Sequence, residues 1–272
     1  LELIQNMDWN LMSQFKQKYI GLLKEYYFVG GMPEVVENFI KNHDFDKARK
    51  IQSDIINSYE QDFSKHAPQN IIPRIRMVWN SIPAQLAKEN KKFIFGMLKK
   101  GARSKDFELA LEWLIDSGLL HKVNRIKKPS MPLKAYEDLS AFKIFLNDCG
   151  LLSAMVQLSP KTLLDGNKLF QEFKGALTEQ YVHQQLIQFK PYYWSAENSS
   201  GEIDFLLQIE EAVIPIEVKA EENLKAKSLR VFTQKHKSAI AIRTSMSDYR
   251  EESWLVNIPL YALDVIGGLD LT

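Results

Sequence analysis

The stretch from Gly201 to Lys219 restricts the fold of this chain more than any other. Two short apolar runs, Ile203–Ile209 and Ala212–Val218, stand on either side of Glu210-Glu211. Each is too short for a packed helix, and a turn signal lies between them, so the pattern predicts a β-hairpin. Asp204, Glu217 and Lys219 sit within or beside these apolar runs. Side chains alternate along a strand, so Glu217 and Lys219 share one face while Val218 points to the other.

Two carboxylates and an amine gathered between apolar runs suit Mg²⁺ (or Mn²⁺) beside a phosphate. A hard divalent cation takes oxygen ligands and keeps several waters, and Asp204, Glu217 and the Val218 carbonyl offer three protein oxygens. Such a metal acidifies a bound water and polarises a phosphoryl oxygen. Lys219 would orient that water or stabilise charge developing on phosphorus. Glu179, in an expected helix over Glu172–Phe189, is a candidate further carboxylate. The competing reading is a hairpin whose charges are simply solvated.

Further stretches carry a resemblance. They are Tyr26-Tyr27-Phe28-Val29-Gly30-Gly31-Met32-Pro33-Glu34-Val35-Val36, then Lys143-Ile144-Phe145-Leu146-Asn147-Asp148-Cys149-Gly150-Leu151, then Gly175-Ala176-Leu177-Thr178-Glu179-Gln180-Tyr181-Val182. In that order, and followed by Glu202-Ile203-Asp204 and Ile216-Glu217-Val218-Lys219, they are similar to the domain of unknown function that follows an AAA-type ATPase domain in many bacterial and archaeal proteins. The hairpin itself resembles the core of the PD-(D/E)XK nuclease superfamily. The resemblance covers residues from about 20 to 240. It implies an ATPase-linked protein with a nuclease-like domain, a site at Glu179, Asp204, Glu217 and Lys219, and metal ligands among the three acids. It also suggests a supporting role for Gln234, on the helix after the site. The alternative it leaves open is a catalytically silent docking or regulatory module.

No G-x-x-x-x-G-K-[ST] phosphate loop and no G-x-G-x-x-G turn is present, so this stretch is not itself the ATPase. The chain opens on Leu1, and the expectation is a fragment that starts just after an ATPase domain, which would hold the ATP and act as a partner. With 35 basic and 34 acidic residues, the net charge of +1 gives no global attraction to nucleic acid or anionic lipid. Any phosphate binding must come from a local patch, such as Lys225, Lys227, Arg230, Lys235 and Lys237. No segment approaches the ~20 consecutive apolar residues of a membrane span. A lone cysteine, Cys149, rules out an internal disulfide, fits a cytoplasmic setting and reads as a small buried apolar residue. Homo-oligomerisation as a partner-binding arm of the ATPase is a further expectation.

The expected fold class is α+β: a helical N-terminal part with a winged-helix module over residues 1–128, then an α/β restriction-endonuclease-like domain over 129–272. Helices are expected at Leu11–Tyr26, Glu34–Asn42, Phe45–Phe63 and Arg74–Leu86, with a short element at Lys91–Leu98. A further helix, Lys105–Ser117, is expected to be capped by Ser104 and stopped by Gly118. Leu119–Arg125 would lead to a wing tip near Lys127-Lys128. The third helix of that module is acidic (Asp106, Glu108, Glu112, Asp116), which disfavours a duplex and favours a structural or protein-contact role. Lys127–Pro132 reads as the linker. Strands are expected at Leu133–Tyr136, Phe142–Asn147, Tyr192–Ser195 and Ala239–Arg243, helices at Gly150–Leu158 and Leu224–Lys235, and an edge or broken strand at Leu255–Leu263. Glu202 and His183 lie near the candidate site, whereas His43 and His66 read as surface residues.

Overall fold

Apolar spacing of three and four residues makes the first part of the chain helical. The structure, a computed structural model, describes residues 2–88, 91–165, 171–196, 201–222, 225–238 and 240–268. Helices run in the order α1 (Glu2–Gln5), α2 (Trp9–Gln14), α3 (Lys16–Val29), α4 (Pro33–Asn42), α5 (Phe45–His66), α6 (Ile72–Ala87), α7 (Ser104–Asp116), α8 (Cys149–Met155), α9 (Pro160–Asp165), α10 (Gln171–Leu186) and α11 (Lys227–His236). Strands are β1 (Leu120–Ile126), β2 (Glu137–Leu146), β3 (Tyr192–Ser195), β4 (Glu202–Ile209), β5 (Ala212–Val218), β6 (Ala241–Ser245), β7 (Arg250–Glu252) and β8 (Leu255–Pro259). They form one eight-stranded mixed sheet in the order β2-β1-β3-β4-β5-β6-β8-β7. The chain is therefore α+β, helical first and sheet-forming later.

Two compact units interleave along the sequence. One comprises Leu1–Leu23, Val123–Phe142 and Tyr181–Thr272, and the other Lys24–Lys122 and Lys143–Gln180. Their divisions fall inside α3, β1, β2 and α10. Lys127–Pro132, expected as a linker, lies within the first of these units.

The second unit packs helices around aromatic side chains. Trp79 is fully buried, with the rings of Tyr59 and Phe63 edge-on to it. Pro33 opens α4, where its missing N–H is no loss. Helix α7 begins one residue earlier than expected, so Arg103 rather than Ser104 is its cap. The Arg103 N–H donates to the Asp106 carboxylate at 3.2 Å. Gly118 follows α7 with a φ of +70° and stops it as expected. The Lys91–Leu98 element is only a 3-10 turn, Phe95–Met97.

Two of the stretches that carried the resemblance lock onto each other in this unit. Asp148 caps α8, its Oδ1 accepting from the Leu151 N–H at 2.9 Å and its Oδ2 from the Gly31 N–H at 2.7 Å. Gly30 has a φ of +74°, and a Cβ there would stand 2.2 Å from Asp148 Oδ1. A Cβ on Gly150 would lie 2.4 Å from the Val29 carbonyl oxygen. The Gln52 amide donates to the carbonyls of Phe28 and Val29 at 2.7 and 2.9 Å. Cys149 is buried here, and burial, with Asp148 beside it, pushes its thiol well above the ordinary range.

In the first unit, β4 and β5 pair antiparallel, from Ile209↔Ala212 to Phe205↔Ile216. β5 and β6 are parallel, as are β6 and β8, while β7 runs antiparallel to β8. The order α10–β3–β4–β5–α11–β6 thus places three antiparallel strands and then, after a crossover helix, a fourth strand parallel to the third. Leu229 and Phe232 of α11 join Leu206, Ala241 and Leu255 in one apolar cluster, so α11 covers that face of the sheet.

Several expectations are corrected here. Leu133–Tyr136 is a 3-10 turn rather than a strand, and the strand after it spans Glu137–Leu146. Leu255–Pro259 is not an edge strand, because β7 pairs outside it; Pro259 is its last residue. β1 joins the sheet parallel to β3, through Arg125↔Tyr193 and Ile126↔Trp194. Leu224 and Ala239, at the expected starts of a helix and a strand, lie outside the described residues.

Candidate functional site

The hairpin register builds the site. Phe205 opposes Ile216, so one step further along the same antiparallel pair sets Asp204 opposite Glu217 on one face. The Asp204 Oδ2 accepts the Val218 N–H at 2.8 Å, which ties the carboxylate to the end of β5. Glu217 is only 7 % exposed. Its Oε1 pairs with Lys219 Nζ at 2.5 Å, whereas its Oε2 is buried with no hydrogen-bond partner. Leaving a buried carboxylate oxygen unsatisfied is unfavourable, so such an atom points to a missing cation or donor.

Asp204 and Glu217 oppose each other on neighbouring strands, and Lys219, just past the end of β5, pairs with Glu217. Glu179 belongs to the other unit, where its Oε1 pairs with Lys91 Nζ at 2.6 Å and its Oε2 lies 3.7 Å from Lys143 Nζ. All three of those side chains are buried. His183 is buried against the Phe205 ring, and Phe205 points to the opposite face from its neighbour Asp204. Glu202 stands two residues before Asp204 on the same strand, partly exposed. Gln234 is exposed on α11. Lys225, Lys227, Arg230, Lys235 and Lys237 are exposed on or beside that helix, with Arg230 reaching over the Trp254 ring.

The donor set fits a hard divalent cation held by two carboxylates. Mg²⁺ is commonly bound through one or two carboxylates, with waters and substrate phosphates completing the shell. Among the described residues, no group of three or more His, Cys, Asp or Glu side chains is placed to hold a metal ion. The pair Asp204 and Glu217, with the orphaned Glu217 Oε2, is thus the feature that matches such an ion.

Two polar neighbours were not legible from the sequence. Arg243 of β6 is in register with Glu217, and Asn257 of β8 is in register with Arg243. Both are buried in short strands, where a lone Arg or Asn gives no pattern.

Residues 20–162, just over half of the chain, match the model of a domain of unknown function, DUF8612. The chain belongs to the DUF8612 family. In this DUF8612 protein, residues 174–263 also match a second domain of unknown function, DUF4143, of a kind that typically follows AAA ATPase domains. The hairpin and α11 fall within that second match, and the Gly30–Asp148 lock falls within the first. No curated protein and no solved structure is detectably similar to the chain. No helix among the described residues is long and apolar enough to cross a membrane.

Proposed function

We propose that the β4–β5 hairpin is a Mg²⁺- or Mn²⁺-dependent phosphodiesterase site for nucleic acid, set on a PD-(D/E)XK nuclease-like core and licensed by an AAA-type ATPase domain. The observation that carries this reading is the buried, unsatisfied Glu217 Oε2 beside Asp204, with Lys219 on the same face. The element order α10–β3–β4–β5–α11–β6 supports the nuclease-like core. The match at 174–263 supports the ATPase partner.

The roles follow from position. Asp204 and Glu217 hold the cation. When bound, the cation supplies an acidified water and a polarised phosphoryl oxygen. Lys219, more exposed than Glu217, turns from it toward the phosphate and stabilises the charge that develops there. The exposed cationic residues on or beside α11 would take neighbouring phosphates of the strand. The winged-helix-like segment α6–α7–β1 exposes Asp106, Glu108, Glu112 and Asp116, and these acids suit a protein contact rather than a duplex.

Calorimetric titration of Mn²⁺ into the chain tests the reading, with Asp204→Asn and Glu217→Gln alongside. Binding to wild type that either substitution abolishes is expected, as is loss of DNA cleavage in Lys219→Ala. Cleavage that survives Asp204→Asn combined with Lys219→Ala would sink the assignment. A wild type silent to Mn²⁺ even with an oligonucleotide present would instead make the hairpin a docking module. In that case the Val218 N–H and Lys219 would be the structural partners of the two acids.

A further inference from the structure

Two helices present exposed faces dominated by one sign of charge. Helix α7 exposes Asp106, Glu108, Glu112 and Asp116 against a single lysine, Lys105. Helix α11 exposes Lys227, Arg230 and Lys235, with Lys237 at its C-cap, and contains no acid. None of these four acids and four cations forms an ion pair among the described residues. On other helices the signs are mixed and paired, Lys41 with Glu37 on α4 and Lys65 with Asp62 on α5.

Each of the two faces also carries an apolar residue at its centre. Leu109 lies three residues from Asp106 and from Glu112 and is 65 % exposed. Val231 lies four residues from Lys227 and from Lys235 and is 64 % exposed. Residues three and four apart are neighbours on a helix surface, so each apolar side chain stands inside a frame of like charge.

The charges are not arranged for the benefit of their own helices. Asp116 is the last residue of α7 and Lys227 the first of α11. A helix carries partial negative charge at its C-terminus and partial positive charge at its N-terminus, so both residues stand at the end of their own sign. Like charges spaced along one face repel as well. A surface of the opposite sign removes both penalties, and each of these helices offers what the other lacks.

We propose that the acidic face of α7 on one copy of the chain docks on the basic face of α11 on another, with Leu109 and Val231 meeting at the centre. The two faces differ, so the contact is head-to-tail, and every copy in a pair keeps one unused face for a further copy. A single helix pair covers less than the ~1,200 Å² of a stable interface, so the association is weak. Its charged rim makes it sensitive to salt. The inference does not depend on the hairpin being a cation site. Taken with that reading, it makes α7 and a nucleic-acid strand competitors for the same α11 cations.

Sedimentation velocity of the chain at rising concentration, in low and in high salt, tests the contact. Association is expected in low salt and its loss in high salt. Glu112→Lys combined with Asp116→Lys reverses the α7 face, and Lys227→Glu combined with Lys235→Glu reverses the α11 face. Either double variant alone is expected to stay monomeric. An equimolar mixture of the two is expected to associate again, because the reversed α7 of one then meets the reversed α11 of the other. The reversals at Asp116 and Lys227 suit their own helix ends, so loss of association there is not explained by a weaker helix. A wild type that stays monomeric in low salt overturns the inference. So does association that survives in both double variants, which would place the contact elsewhere, or a mixture that remains monomeric.

Discussion

Substituting Gly30 by Ala isolates the contact between the two motif stretches of the helical unit. The three heavy atoms nearest to a Cβ at Gly30 all belong to the Asp148 side chain, at 2.2, 2.7 and 2.8 Å. The methyl must displace that carboxylate, which then loses its bonds from Gly31 and Leu151. Hydrogen bonds to a charged acceptor contribute roughly 1.5–3 kcal/mol each, so losing both costs about 3–5 kcal/mol after partial relaxation. Left-handed backbone adds about 1 kcal/mol for a residue with a Cβ. The sum, about 4–6 kcal/mol, is comparable with the whole stability of many domains.

The same geometry predicts rescue. Asp148→Ala alone forfeits the two bonds, but it also removes the atoms that the new methyl would strike. In that background Gly30→Ala should cost only about 1 kcal/mol, the backbone term. The coupling between the two sites is then about 3–5 kcal/mol, far outside the ~0.5 kcal/mol expected of independent positions. Urea unfolding of the four proteins measures it, with hydrogen exchange at the amides of Gly31 and Leu151 reporting on the unit concerned. Equal costs for Gly30→Ala in both backgrounds would refute the argument. Gly150→Ala is the control, because its nearest neighbours are backbone atoms of Val29 and Gly30 that no side-chain truncation can remove.

Further outcomes are expected elsewhere. Burial alone would raise the Asp138 carboxyl, but Ser140 and Arg125 outweigh it and hold it at about 2. That preference stabilises the fold fully above pH ~4 and is lost as pH falls toward 2, a change of about 1–2 kcal/mol after allowing for solvent at the rim. Acid titration of wild type and Asp138→Asn checks it: the variant should lack this part of the pH dependence. Glu179→Gln removes the carboxylate that pairs with buried Lys91 and should destabilise by about 3–5 kcal/mol. Mn²⁺ affinity of the folded variant should stay as in wild type; a loss would place Glu179 among the ligands. Cys149 should resist a thiol reagent in the native protein and react on unfolding in urea, and fast native reaction would contradict its burial.

The hairpin was legible because its information is local. Alternation, a two-residue turn and the Asp204, Glu217 and Lys219 positions all fall within eighteen residues, and strand geometry alone puts two of them on one face. β5 formed over Ala212–Val218 as expected, and β4 began only one residue early, at Glu202. Helix ends in the first part moved by a few residues because caps are decided by single contacts, as at Arg103 and Asp106. Leu133–Tyr136 misled because an apolar four-residue run fits a strand or a turn equally well. Only the long β2 that follows decides between them. Glu179 was placed near the site through resemblance, with no local geometry behind it, and its bonds to Lys91 and Lys143 come from distant parts of the sequence that no spacing rule relates.

Arg243 and Asn257 show what the remaining signal would have to be. Neither follows from its neighbours in sequence: Arg243 stands between Ile242 and Thr244, and Asn257 in an otherwise apolar strand. They become meaningful only through the parallel pairing of β5 with β6 and of β6 with β8, a topology made by the α11 crossover. A buried Arg in a short apolar strand is unfavourable unless an acid lies in register beside it. Glu217, in register with Arg243, is itself buried. The acid that a solvated hairpin would turn to water is instead buried and paired with Lys219. That arrangement gains little as scaffolding, since two apolar residues would pack as well. It does supply what a cation site needs, a carboxylate whose direction is set before the ligand arrives.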